Sequence, residues 1–273
     1  MSKVRLTEDL AMVRKPLDPA TGKEAAKSRF AFFPGTHLPA GEPEIVIKAY
    51  DSLHFQYPDT AVFMRNADMN EKETIRKQWQ ELGEPTIIMA CMKAYKKFKE
   101  HLPEIPVVSF YEKMPEMNIS GGCNHDEYIV LDPEEAAGEE KTKAAVRELA
   151  DGMGVTVIEP ENADPARKLP YLVYSMSKRD DIKNSGGDAV HILELVYGMG
   201  ASNTHMIHEH DHDHGEGGQE AAESAECDGN CSSCSAACGL KPEPPAPLPT
   251  DDDKLQNLKE VKQMLLALYW NEM

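Results

Sequence analysis

No apolar run in this chain of 273 residues approaches the roughly 18 that a membrane-spanning helix needs, so no membrane insertion is expected. The opening stretch MSKVRLTEDLAMVRKPLDPATG lacks the apolar core of a signal peptide, which makes the cytoplasm the expected compartment. Positive charge is scarce. Lys and Arg total 29 against 47 Asp and Glu, a net −18 that repels phosphate backbones and anionic lipid and argues against nucleic-acid partners. There is no Gly-x-Gly-x-x-Gly, P-loop, Gly-x-Ser-x-Gly or His-Glu-x-x-His, so nucleotide binding and hydrolase chemistry gain no support. Cysteine is absent from the first ninety residues, yet four of the six fall within CDGNCSSCSAAC, Cys227 to Cys238. In a reducing cytoplasm such a cluster points to metal rather than to disulfides.

The apolar fraction of 41% is enough for a core, and its patterning gives the fold class. RFAFFPG reads as a buried strand entering a turn, and PEIVIKAYDSL as a helix with Pro43 in its first turn. NEKETIRKQWQELG is an amphipathic helix carrying Ile75, Trp79 and Leu82 on one stripe, with Gly83 as its stop. TIIMA, IPVVSFYE, EYIVLDPE, VTVIEP and LPYLVYS read as further strands. Between and after them lie the helical stretches CMKAYKKFKEHL, EEKTKAAVRELADGMG and KRDDIKNSGG, and DAVHILELVYG closes the series. Strands alternating with helices predict an α/β fold built from two tandem βαβ-type units with mostly parallel sheets. The expected organisation is an N-terminal arm over 1–27, a first unit over 28–118 and a second over 119–200. A low-complexity His/Cys-rich insert with a Pro-rich linker follows over 201–250, and an amphipathic helix over 251–273. On that helix Leu255, Leu258, Val261, Leu265, Leu268 and Tyr269 are expected to form the buried stripe.

Candidate sites divide by chemistry. Cys91 is placed at the end of a strand and the start of a helix, where open α/β sheets bind ligands. It reads either as a surviving redox thiol or as a small buried residue. Cys123 and His125 share a glycine-rich connection but are too few to hold an ion alone, and His191 reads as a satisfied core residue. In the insert, Cys227, Cys231, Cys234 and Cys238 are spaced so that one loop can wrap an ion or cluster, and thiolates suit zinc, copper(I) or iron–sulfur. Just before them, His205, His208, His210, His212 and His214 alternate with Glu209, Asp211 and Asp213, a donor set for zinc, nickel or copper(II). The same tract also reads as a solvated linker.

FFPGTHLPAGEPEIVIKAYDSL and RKQWQELGEPTIIMACMKAYKKFKEHLPEIPVVSFYE, followed by VLDPEE, AVRELADGMGVTVIE and AVHILELVYG, carry a family resemblance. The chain resembles the cysteine-rich CCG domain found in heterodisulfide reductase and in related iron–sulfur oxidoreductase subunits, over roughly 28–200 and 251–273. Members carry two copies of a cysteine pattern whose thiolates hold iron–sulfur clusters. Here the family's FPGC reads Phe33-Pro34-Gly35-Thr36, and the late pair keeps Cys91 but has Ala94 at its partner position. The corresponding places in the second unit are Asp132-Pro133-Glu134, Ser175 and Lys178. What the resemblance implies is a subunit of an anaerobic redox complex, serving electron transfer or scaffolding and not catalytic alone. Its expected partners are flavin or iron–sulfur oxidoreductase subunits. One iron–sulfur cluster on Cys227, Cys231, Cys234 and Cys238 is the cofactor that the family's chemistry favours. The alternative, from a different class, is a zinc- or nickel-handling protein using the His/Cys insert; a third is a purely structural subunit.

Overall fold

The computed structural model describes residues 8–18, 20–117, 126–198 and 248–272. The chain divides into two compact units, residues 1–200 with 248–273, and residues 201–247. The second unit lies outside the described residues.

The larger unit is α/β, with two sheets. In the first half, β2 (Phe30–Phe33), β3 (Thr60–Met64), β4 (Thr86–Met89) and β5 (Val107–Ser109) are parallel in the order β3-β2-β4-β5. The residues of β2, β3 and β4 are almost continuously buried, as strands covered on both faces must be. The connections supply α1 (His37–Gly41), α2 (Pro43–Gln56), α3 (Lys72–Glu81) and α4 (Met92–His101), and β5 turns directly into the short α5 (Phe110–Lys113). In the second half, β6 (Glu127–Leu131), β7 (Thr156–Ile158), β8 (Tyr171–Val173) and β9 (Ala189–His191) take the parallel order β7-β6-β8-β9. Numbered within each half, both sheets read second, first, third, fourth. Between these strands run α6 (Glu140–Gly152) and α7 (Met176–Asn184), and β9 opens directly into α8 (Ile192–Val196).

The arm is partly built into the fold: β1 (Met12–Arg14) pairs antiparallel with β3 as the edge of the first sheet. The last helix, α9 (Asp251–Trp270), begins with a capping box in which Thr250 and Asp253 bond reciprocally, and packs on α1 and α2. Arm and helix also bind each other. The Trp270 indole donates to the Lys15 carbonyl at 2.7 Å, and Arg14 pairs with Glu272 at 2.6 Å.

Four local expectations change. Thr60–Met64 is a fully buried strand that the alternation of elements in the sequence did not mark, because TAVFM is short and follows a helix after only a Tyr-Pro-Asp turn. The apolar runs around Ser109 and His191 are each a three-residue strand that becomes helical at the next residue. On α9 the buried face is Leu258, Val261, Leu265 and Trp270, whereas Leu255 and Leu268 are exposed. The helix meets the body along a narrower seam than its apolar composition suggests.

Candidate functional site

The strand C-termini of both halves converge on one joint, and a small cleft open to solvent lies there. Its wall takes Pro34 and His37 from beyond β2, Cys91 and Lys93 from the start of α4, and Ser175 with Met176 from the start of α7. His191, the last residue of β9, also faces it. In the first sheet the cleft sits between the ends of β2 and β4, where the strand order reverses, the usual ligand position of open α/β sheets.

Cys91 is the N-cap of α4 and is part-exposed on this wall. Burial pushes its thiol up from the ordinary value, against the amide N–H groups of Ala94 and Lys93, which favour the thiolate. Gly35 makes this packing possible. Its φ is +80°, and a Cβ there would stand 2.6 Å from the Cys91 Cβ. At the matching place in the second half, Ser175 is the N-cap of α7, and its hydroxyl lies 3.1 Å from that of Ser177.

His191 is buried and is the N-cap of α8. Its Nδ1 accepts from the Leu193 N–H at 3.3 Å while Glu194 accepts from the His191 N–H at 3.0 Å, a capping box. Burial lowers its pKa to about 3, helped by the nearby Arg179 charge, so the ring is neutral and structural. This agrees with its reading as a satisfied core residue.

Two polar networks flank the cleft. Arg179 on α7 is almost fully buried and pairs with Glu42 at 2.5 Å, with Glu194, and with Asp180 at 3.3 Å. On the other side the buried Tyr111 hydroxyl lies 3.2 Å from the Ala90 carbonyl and 3.1 Å from the Tyr174 carbonyl, at the ends of β4 and β8. The Tyr174 hydroxyl donates to Asp132 at 2.8 Å, and Asp132 pairs with Arg147 at 3.1 Å, which also holds Glu159 at 2.6 Å. None of Arg179, Tyr111 or Arg147 carried a motif in the sequence. An Arg inside a short, otherwise charged helix reads as surface until the facing half of the chain is known.

Of the positions at which the resemblance implies thiolate ligands, Cys91 and Ser175 line the cleft, while Thr36, Ala94, Glu134 and Lys178 lie outside its lining. Only one of them is a thiol. A cubane needs about four, and no group of three or more His, Cys, Asp or Glu side chains able to hold a metal occurs among the described residues. The joint therefore does not fit an iron–sulfur cluster. The other sequence-derived candidates lie outside the described residues: Cys123, the cysteines 227, 231, 234 and 238, and the histidines 205, 208, 210, 212 and 214. No helix among the described residues is long and apolar enough to cross a membrane.

No protein-family model matches the chain, and no curated protein or solved structure is similar to it.

Proposed function

We propose that the chain is a CCG-like subunit of a redox complex, acting in electron transfer or as a scaffold rather than as an enzyme on its own. The observation that carries this reading is the duplicated second-first-third-fourth sheet order, with both sets of strand ends meeting at a joint that retains Cys91 alone among the resemblance's ligand positions. A joint with one thiol leaves any electron-carrying centre to the insert, where Cys227, Cys231, Cys234 and Cys238 are spaced so that one loop can wrap an ion or cluster, and the resemblance favours iron–sulfur there. Flavin or iron–sulfur oxidoreductase subunits are then the partners, and the cytoplasm the compartment. The His/Cys composition of the insert favours one alternative, zinc or nickel handling.

Metal analysis separates these readings. Protein purified without oxygen is expected to carry about four iron and four sulfide per chain, lost in a Cys231→Ser/Cys234→Ser variant. Zinc or nickel without sulfide would move the chain to metal handling. Protein without any metal would leave only the scaffold role.

A further inference from the structure

The helix N-caps put the two halves in register. Cys91 and Ser175 cap the helices after the third strand of each half, so Tyr95 and Arg179, four residues on, are equivalent. Glu42 and Glu139 cap the long helices α2 and α6, so they too are equivalent. Each pair meets its opposite number across the joint. Arg179 of the second half holds Glu42 of the first at 2.5 Å. Tyr95 of the first half donates to Glu139 of the second at 3.4 Å, and Lys99 pairs with the same carboxylate at 2.6 Å.

The helix contacts repeat this reciprocity. α1 packs on α7, and α4 on the 3₁₀ turn Glu134–Ala136 that takes the place of α1 in the second half. α5 packs on α6, and Tyr197, just past α8, reaches α2 with its hydroxyl 3.4 Å from that of Ser52. Residue i of one half thus meets residue j of the other, and j meets i, the relation found between subunits of a two-fold dimer.

One departure from the symmetry adds a further tie between the halves. Ser109 and His191 cap α5 and α8, so Tyr111 corresponds to Leu193. The Tyr111 phenol reaches the ends of β4 and β8 and pins the two third strands together, which the leucine cannot do.

We infer that the joint is a dimer-like interface that closes without an iron–sulfur cluster, clasped by Glu42–Arg179 and its counterpart Glu139–Tyr95/Lys99, and pinned by Tyr111. This uses the CCG resemblance only to say where a cluster would otherwise sit. It stands whether or not the chain joins a redox complex.

The test uses the full-length protein and reads three things: iron and sulfide content, thermal midpoint, and alkylation at Cys91 located by mass spectrometry. Cys91→Ser is expected to keep the iron and sulfide content of the natural protein, whatever that content is. Arg179→Met leaves Glu194 buried without its cation, so its midpoint is expected to fall by about 10 °C. Loosening the joint should also raise Cys91 alkylation on the order of tenfold. Should Arg179→Met fail to fold, Glu42→Gln, which leaves Arg179 paired with Glu194, is expected to raise the same alkylation rate by a smaller factor. Loss of iron or sulfide in Cys91→Ser overturns the inference. So does an unchanged midpoint and alkylation rate in both Arg179→Met and Glu42→Gln. Absence of iron and sulfide from the natural protein, or their retention in Cys231→Ser/Cys234→Ser, overturns only the proposed electron-carrying role, so the two ideas fail separately.

Discussion

His191 shows how burial and a helix cap make a core histidine a pH-sensitive structural residue. Its ring is enclosed, its Nδ1 accepts from the Leu193 N–H, and the buried Arg179 cation lies near it. The folded-state pKa of about 3 is below the unfolded value, so on acidification the unfolded chain takes up a proton that the folded chain refuses. The neutral ring's contribution is therefore complete above roughly pH 6.5 and is lost progressively as the pH falls toward 3. His37 and His54, whose pKa values are also lowered chiefly by desolvation, act in the same direction. Between pH 7 and 5 the His191 share comes to about 2 kcal/mol. His191→Asn, which keeps a capping acceptor without a titrating ring, is expected to flatten the pH dependence of urea-unfolding stability by about that amount. A slope equal to that of the natural protein would show that another group carries it.

Among elements, α9 is the most informative. Its helix is secured locally by the Thr250–Asp253 capping box and three aspartates in the first turn, which complement the helix dipole. A helix of this length is still marginal by itself and depends on the face it buries. That face is Leu258, Val261 and Leu265, fully enclosed against α1 and α2, while Leu268 is 59% exposed. Leu258→Ala and Leu265→Ala are each expected to cost about 2–4 kcal/mol, and Leu268→Ala less than about 0.5 kcal/mol, in urea unfolding monitored by circular dichroism. Equal losses at all three positions would mean that the exposed side of α9 packs on something further. Six apolar residues at near-helical spacing describe a wide face, and only the partner surface selects which of them it covers.

Over the molecule as a whole, the joint governs cooperativity. Tyr111, Tyr174 and Arg179 are buried between the halves, and α9 and the arm tie the C-terminus to the first sheet. The body is therefore expected to unfold in one calorimetric transition, with equal calorimetric and van 't Hoff enthalpies. Two separated transitions would show that each half is stable alone and that the joint is weak.

The sequence by itself determined the α/β class, most of the elements and their tandem order, because buried parallel strands and amphipathic helices leave periodic, local signals such as TIIM and EKTKAAVRELADG. It also located Cys91 at a strand end and His191 in the core. Tertiary structure alone decided that TAVFM is the second strand of its sheet, that the apolar runs at Ser109 and His191 turn helical, and that Arg179 is buried. It also decided that Cys91 and Ser175, distant in sequence, share one cleft wall. The physical reason is range. Periodicity and capping are set by neighbours within a few residues, whereas Arg179 meets Glu42, 137 residues away, only after both sheets have formed.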